Sequence, residues 1–171
     1  MSDSCSLITI FFAFSPLFCL LKVILLQSCL ATERMETLYS SIMQSLRQLV
    51  ASSIALAGWE IPVPPVIWSP RMTRSAGLFV VEKDSRDIWH PEIRLSIALI
   101  RRLDRPWPVE VCGCYCHDPS AILKKILEHE LVHYKLWKDG ESDWGHTPRF
   151  KQIAWEAFGH QGIHHGIGIE E

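Results

Sequence analysis

The chain has 171 residues, with 17 basic and 19 acidic side chains and a formal net charge of −2. That balance supplies no global field to recruit nucleic acid or an anionic membrane, and the length suits one domain with a sizeable core. The apolar fraction of 48% is raised by the N-terminal segment rather than by the chain as a whole.

From Leu7 to Leu21 the sequence is almost unbroken apolar, and Lys22 interrupts it before Val23-Ile24-Leu25-Leu26. A spanning helix wants about 20 apolar residues, and a lysine within one is costly. A signal peptide carries a positive n-region, whereas this chain starts Met1-Ser2-Asp3-Ser4. Residues 1–34 are therefore read as lying upstream of a translation start at Met35, in a cytoplasmic protein. If the segment is made, a membrane anchor is the alternative. Residues 35–159 are read as the folded domain and residues 160–171 as a flexible tail.

Residues 36–57 predict a helix, with Leu38, Ile42, Leu46, Leu49, Val50 and Ile54 at helical spacing and Gly58 ending it. Ile61-Pro62-Val63-Pro64-Pro65 reads as extended and stiff. Val66–Trp68, Leu78–Glu82 and Glu92–Ser96 predict short strands, with turn-forming Lys83-Asp84-Ser85-Arg86-Asp87 between the last two. Ser96–Leu103 predicts a short helix, and Asp104-Arg105-Pro106-Trp107-Pro108 a loop. The clusters Arg71 with Arg74, and Arg101-Arg102 with Arg105, read as solvated surface.

Six cysteines fall into two groups: Cys5, Cys19 and Cys29 in the apolar segment, and Cys112, Cys114 and Cys116 beside His117. The second group is C-x-C-x-C, not the C-x-x-C of zinc knuckles, and it has no distant partner pair. An odd number of neighbouring thiols does not form a tidy disulfide framework. The expectation is reduced thiols in a loop, with a redox or accidental metal site as the alternative.

Asp118 through Trp137 carries the chemistry. Asp118 suits an N-cap and Pro119 the first helical position. Ile122 and Ile126 lead along one row to His129 or Glu130, while Leu123, Leu127 and Leu131 form the next. Embedded here is His129-Glu130-Leu131-Val132-His133, an H-E-x-x-H. Residues i and i+4 share a helix face, so both imidazoles can reach one ion with Glu130 beside them. A buried face would leave such groups costly without a partner, and a metal removes the difficulty. A catalytic zinc site takes three protein ligands and keeps the fourth position for water or substrate. His146 is the best-placed third ligand, at the mouth of a second helix in which Thr147 can cap and Pro148 can lead. There Phe150, Ile153, Ala154, Ala157 and Phe158 repeat at helical spacing and Gly159 fits just past the end. Asp143, Glu141 and Glu156 are worse placed. In the tail, His160, His164 and His165 read as solvent-exposed.

Taken together, His129-Glu130-x-x-His133, Gly145-His146-x-Pro148-x-Phe150-Lys151 and Arg74-Ser75-Ala76-Gly77-Leu78 resemble the SprT-like zinc metallopeptidase family (Spartan/SprT). Ile93-Arg94-Leu95-Ser96, Pro65-Val66-Ile67-Trp68 and the helix around Leu38-Tyr39-Ser40-Ser41-Ile42 fit the same pattern, which covers about residues 36 to 159. The chain departs from many relatives in showing no C-terminal zinc ribbon with paired C-x-x-C motifs.

The expectation is an α+β, zincin-like domain: a small, mainly antiparallel sheet, an N-terminal helix and two metal-site helices. One Zn2+ is expected on His129, His133 and His146, with Glu130 as the base that activates water against a peptide bond. Expected partners are protein substrates with flexible segments, with at most weak DNA contact, and membrane only if residues 1–34 are retained. The rival readings are a DNA-associated protease acting on DNA-bound or crosslinked proteins, which the resemblance implies, and a non-catalytic zinc-stabilised binding module.

Overall fold

The computed structural model describes residues 43–100 and 108–164. The apolar N-terminal segment, residues 36–42 of the expected leading helix, Arg101, Arg102, Arg105 and His165 lie outside the described residues. The first described helix, α1, covers residues 43–56 and turns Leu46, Val50 and Ile54 inward at the expected spacing. Gly58 closes it at a φ of +66°, a conformation that glycine enters without steric cost.

Three strands follow: β1 (Val66–Ser69), β2 (Gly77–Lys83) and β3 (Trp89–Ser96). Their order in the sheet is β1-β3-β2. β2 runs antiparallel to β3, with Phe79 opposite Ile93, while β1 lies parallel to β3 with Trp68 opposite Leu95. The sheet is therefore mixed, and β1 supplies its parallel pair. Period-two alternation sends Phe79, Ile93 and Leu95 into the core and leaves Leu78 exposed. The expected turn between β2 and β3 is pinned by Asp84, whose carboxylate accepts the N–H groups of Arg86 and Ile88 at 2.8 and 3.0 Å. Those bonds, the Ile88 amide first and the His90 ring next, pull its pKa down to about 2.

A short helix, α2 (Ile97–Ile100), leaves the sheet. β4 (Val109–Val111) and β5 (Cys114–Cys116) then form a two-stranded antiparallel hairpin. The thiol run is thus not the loop that its composition predicted. Cys112 and Gly113 make a two-residue turn with φ of 54° and 73°, the doubly positive arrangement that matches the twist of a tight hairpin.

α3 (Pro119–Lys138) starts as expected: the Asp118 side chain accepts from Ser120 N at 2.8 Å and Ala121 N at 2.9 Å. The Ser120 hydroxyl also donates to this carboxylate at 2.5 Å, and that bond first, with the backbone ones, holds the Asp118 carboxyl below its usual range. α4 (Pro148–Phe158) is capped by Thr147, which accepts Phe150 N at 3.2 Å, and ends at Gly159 in the left-handed conformation. α3 packs on the sheet through Ile122, Ile126, Leu127 and Leu131 and on α4 through Val132 and Leu136. It separates the two halves of the core, which is why seven consecutive residues, Ile126 to Val132, are buried. Among the described residues no helix is long and apolar enough to cross a membrane.

Candidate metal centre

The middle of α3 carries polar groups into this apolar surround. His129 and Glu130 are buried, with Glu128 beside them. The helical spacing sets His133 one turn beyond His129, and their Nε2 atoms lie 3.1 Å apart. The α3–α4 connection turns sharply at Gly140 and returns His146 to the same point, its Nε2 2.9 Å from that of His129. Phe150, on the first turn of α4, is fully buried beneath all three rings, with centroids 4.8, 4.4 and 4.9 Å from those of His129, His133 and His146. Thus α3 supplies two imidazoles, the lead-in to α4 supplies the third, and one aromatic side chain supports the set.

These residues fit a metal ion. The three histidines each offer a ring nitrogen within 4.8 Å of the others. A tetrahedral ion with bonds of 2.0–2.1 Å would hold its nitrogens about 3.3 Å apart, close to the spacing found. The opposite ring nitrogens are also engaged. His133 Nδ1 lies 2.5 Å from the Trp144 carbonyl oxygen, which can only accept. In the neutral ring that places the proton on Nδ1 and a lone pair on Nε2, facing the cluster. His129 Nδ1 lies 3.6 Å from the Cys112 sulfur.

Glu130 points to the other side of the same cleft. Its Oε2 accepts the Phe79 N–H of β2 at 2.7 Å. The strand approaches this closely because residue 77 is glycine: a Cβ there would come within 2.6 Å of Ile126 Cγ2 and 2.8 Å of Glu130 Oε1. The cleft of about 530 Å³ is lined by Ser75, Gly77 and Phe79 on one wall, and by Trp144 and His146 on the other, with His129, Glu130 and His133 at its floor.

The structure brings together His129, Glu130, His133 and His146. It does not bring in Asp143 as a ligand: Asp143 Oδ1 accepts Gly145 N–H at 2.8 Å and shapes the lead-in to His146. Tyr134 turns away into the core, packing against Phe79 and Trp137, and burial raises its pKa. Arg71 and Arg74 are exposed on the segment leading into the cleft wall.

Two expectations about neighbouring groups are corrected. His160 is not exposed: it is buried, with Nε2 3.3 Å from Glu128 Oε2. The thiol run lies in a hairpin rather than a loop: Cys112 and Cys116 are buried, and all three cysteines of the run are free. Desolvation drives the Cys112 pKa up to about 12, so it stands as a thiol. Sequence reasoning also missed Glu128. Burial alone would push its carboxyl up, but hydrogen bonds from His160 and Lys125 pull it below its ordinary value. Lys125 Nζ reaches Glu128 at 2.8 Å and the Phe158 carbonyl at 2.8 Å, fastening the end of α4 to α3. A polar residue inside the apolar row at 126–132 was the available signal.

Three histidines that could hold a metal ion lie between two helices and face the edge strand of a small sheet, an arrangement in keeping with a metallopeptidase-like domain. The profile of the SprT-like family matches residues 40–165, and the chain belongs to that family. No curated protein and no solved structure matches the chain at a significant level.

Proposed function

We propose that the chain is a zinc-dependent peptidase that hydrolyses peptide bonds in flexible segments of other proteins. The observation that carries this reading is the convergence of three histidine Nε2 atoms beside a buried carboxylate at the floor of one cleft. His129, His133 and His146 would hold the ion. When bound, zinc supplies Lewis acidity, polarising the scissile carbonyl and bringing the pKa of water at its open position to about 7.

The remaining steps belong to the protein. Glu130 is not a ligand in this reading. Its Oε2 is held by the Phe79 amide, which orients the carboxylate and sets Oε1 against Gly77. Glu130 takes a proton from the attacking water as oxygen adds to the carbonyl carbon. The same carboxyl then delivers that proton to the departing amine as the C–N bond breaks. His133 would present Nε2 to an ion because the Trp144 carbonyl fixes its other nitrogen. Glu130 and the three histidines line a cleft of about 530 Å³, and in this reading access of an extended chain to it, rather than sequence, would select the substrate.

The test is hydrolysis of an unfolded protein by the zinc-loaded chain. Activity should vanish with a chelator and return with zinc. A zinc-loaded, folded chain that cuts nothing would leave the non-catalytic binding module as the better reading.

A further inference from the structure

We infer that Cys112 is a positioning residue for the metal centre: its sulfur accepts the Nδ1–H of His129 and so fixes the face which that ring presents to an ion. The inference rests on the three-histidine reading above but not on the peptidase activity. With Nε2 of His129 turned to His133 and His146, a neutral ring carries its proton on Nδ1, and that N–H needs an acceptor inside the protein. His129 is fully buried, so water does not serve. The Cys112 sulfur, also fully buried, lies 3.6 Å away in the place where metal-binding histidines commonly have a carboxylate or carbonyl partner.

The sulfur is held there by the residues that follow α4. The Cys112 carbonyl accepts the N–H groups of Gln161 and Gly162 at 3.0 and 2.8 Å, and the Cys112 N–H donates to the His164 carbonyl at 3.0 Å. Contact is tight: a Cβ on Gly113 would come within 2.6 Å of Gly162 N, and one on Gly162 within 3.0 Å of Gly113 N. The segment 161–164 therefore clamps the hairpin turn, the turn places the thiol, and the thiol orients His129. His160 stands at the same spot. One nitrogen of its ring lies within 4.8 Å of both the Cys112 sulfur and a His129 nitrogen. A second ion on those three groups is the competing arrangement. It would require loss of both the thiol proton and the His129 ring proton, and a shared imidazole between two metals.

The experiment uses the full chain and reads zinc affinity by chelator competition. Cys112→Ala, which removes the sulfur from beside Nδ1, should weaken zinc binding about 10–100-fold, while Cys112→Ser, which keeps an acceptor there, should stay within a few-fold of the wild type. Gly162→Val, which keeps the cysteine but crowds the turn that positions its sulfur, should weaken binding in the same direction. Long-range proton–nitrogen NMR of the wild-type chain should find the His129 proton on Nδ1, and the cobalt-substituted protein should lack thiolate charge-transfer absorption. Wild-type zinc affinity in a folded Cys112→Ala chain would overturn the inference. So would an unprotonated His129 Nδ1, or a cobalt–thiolate band revealing the Cys–His–His site. Zinc affinity unchanged by Gly162→Val would overturn the role of the clamp. If the wild type binds no zinc at the three histidines, the three-histidine reading itself fails.

Discussion

Gly77 lies directly against Glu130: a Cβ at position 77 would stand 2.8 Å from Oε1 and 2.9 Å from Cγ of that carboxylate. The backbone of β2 can then reach over Glu130 and donate the Phe79 N–H to it. Gly77→Ala should therefore displace Glu130 or Ile126. The expected cost is about 1–3 kcal/mol of stability, as for other overpacked core sites, together with a marked loss of hydrolysis. Zinc binding, which does not pass through residue 77, should remain. Thermal melts, zinc affinity and peptidase rate on one variant separate the three effects, and an unaffected rate would contradict the placement of Glu130.

Glu130→Gln should fold and bind zinc, since the amide oxygen can still accept the Phe79 N–H. It cannot take a proton from water, and hydrolysis should fall by about 10²–10⁴-fold. Turnover at the wild-type rate would remove Glu130 from the chemistry.

His146→Ala should lose more zinc affinity than the ~10–100-fold that an outer partner of a ligand is worth. Full occupancy in this variant, measured by metal analysis after dialysis, would mean that the third ligand lies elsewhere.

The α3 helix was legible because its signals agree. Asp118 and Pro119 mark the start, the apolar rows run at helical period, and the motif falls on that frame. Thr147, Pro148 and Gly159 did the same for α4. The parallel pairing of β1 with β3 was not legible, because a four-residue strand carries no record of its partner or direction. The hairpin at 109–116 was hidden by its turn: positive φ at both central positions ordinarily calls for Asn-Gly or Asp-Gly, and here Cys112 occupies the first. The burial of His160 and Glu128 depends on a contact between residues 32 positions apart, which no local window contains.

Glu128 should matter for stability rather than chemistry. It is almost wholly buried between Lys125 and His160, so Glu128→Ala leaves polar groups stranded and should cost about 3–5 kcal/mol, read in denaturant titration. Its folded pKa is lowered from 4.5, so its contribution is present above that value and is lost as pH falls through the lower folded one. The wild type and the Glu128→Ala chain should converge in stability under acid, and a constant gap down to low pH would refute the assignment.

DNA should help little. Arg71 and Arg74 are exposed beside the cleft wall, but the chain as a whole is slightly acidic. Any stimulation of cleavage by single-stranded DNA should fade steeply between about 50 and 200 mM salt. Strong stimulation that survives the higher salt would instead favour a protease dedicated to DNA-bound or crosslinked proteins.

The left-handed backbone at Cys112 bears on how freely this hairpin could have been built otherwise. A side chain in that conformation carries about 1–2 kcal/mol of strain that glycine would not. A turn whose task was reversal alone would therefore be more stable as Gly-Gly. Cys112→Gly should relieve that backbone strain while emptying a fully buried core position and leaving the His129 ring with less to hold it, so that ease of turning and retention of the metal site would pull this one position in opposite directions.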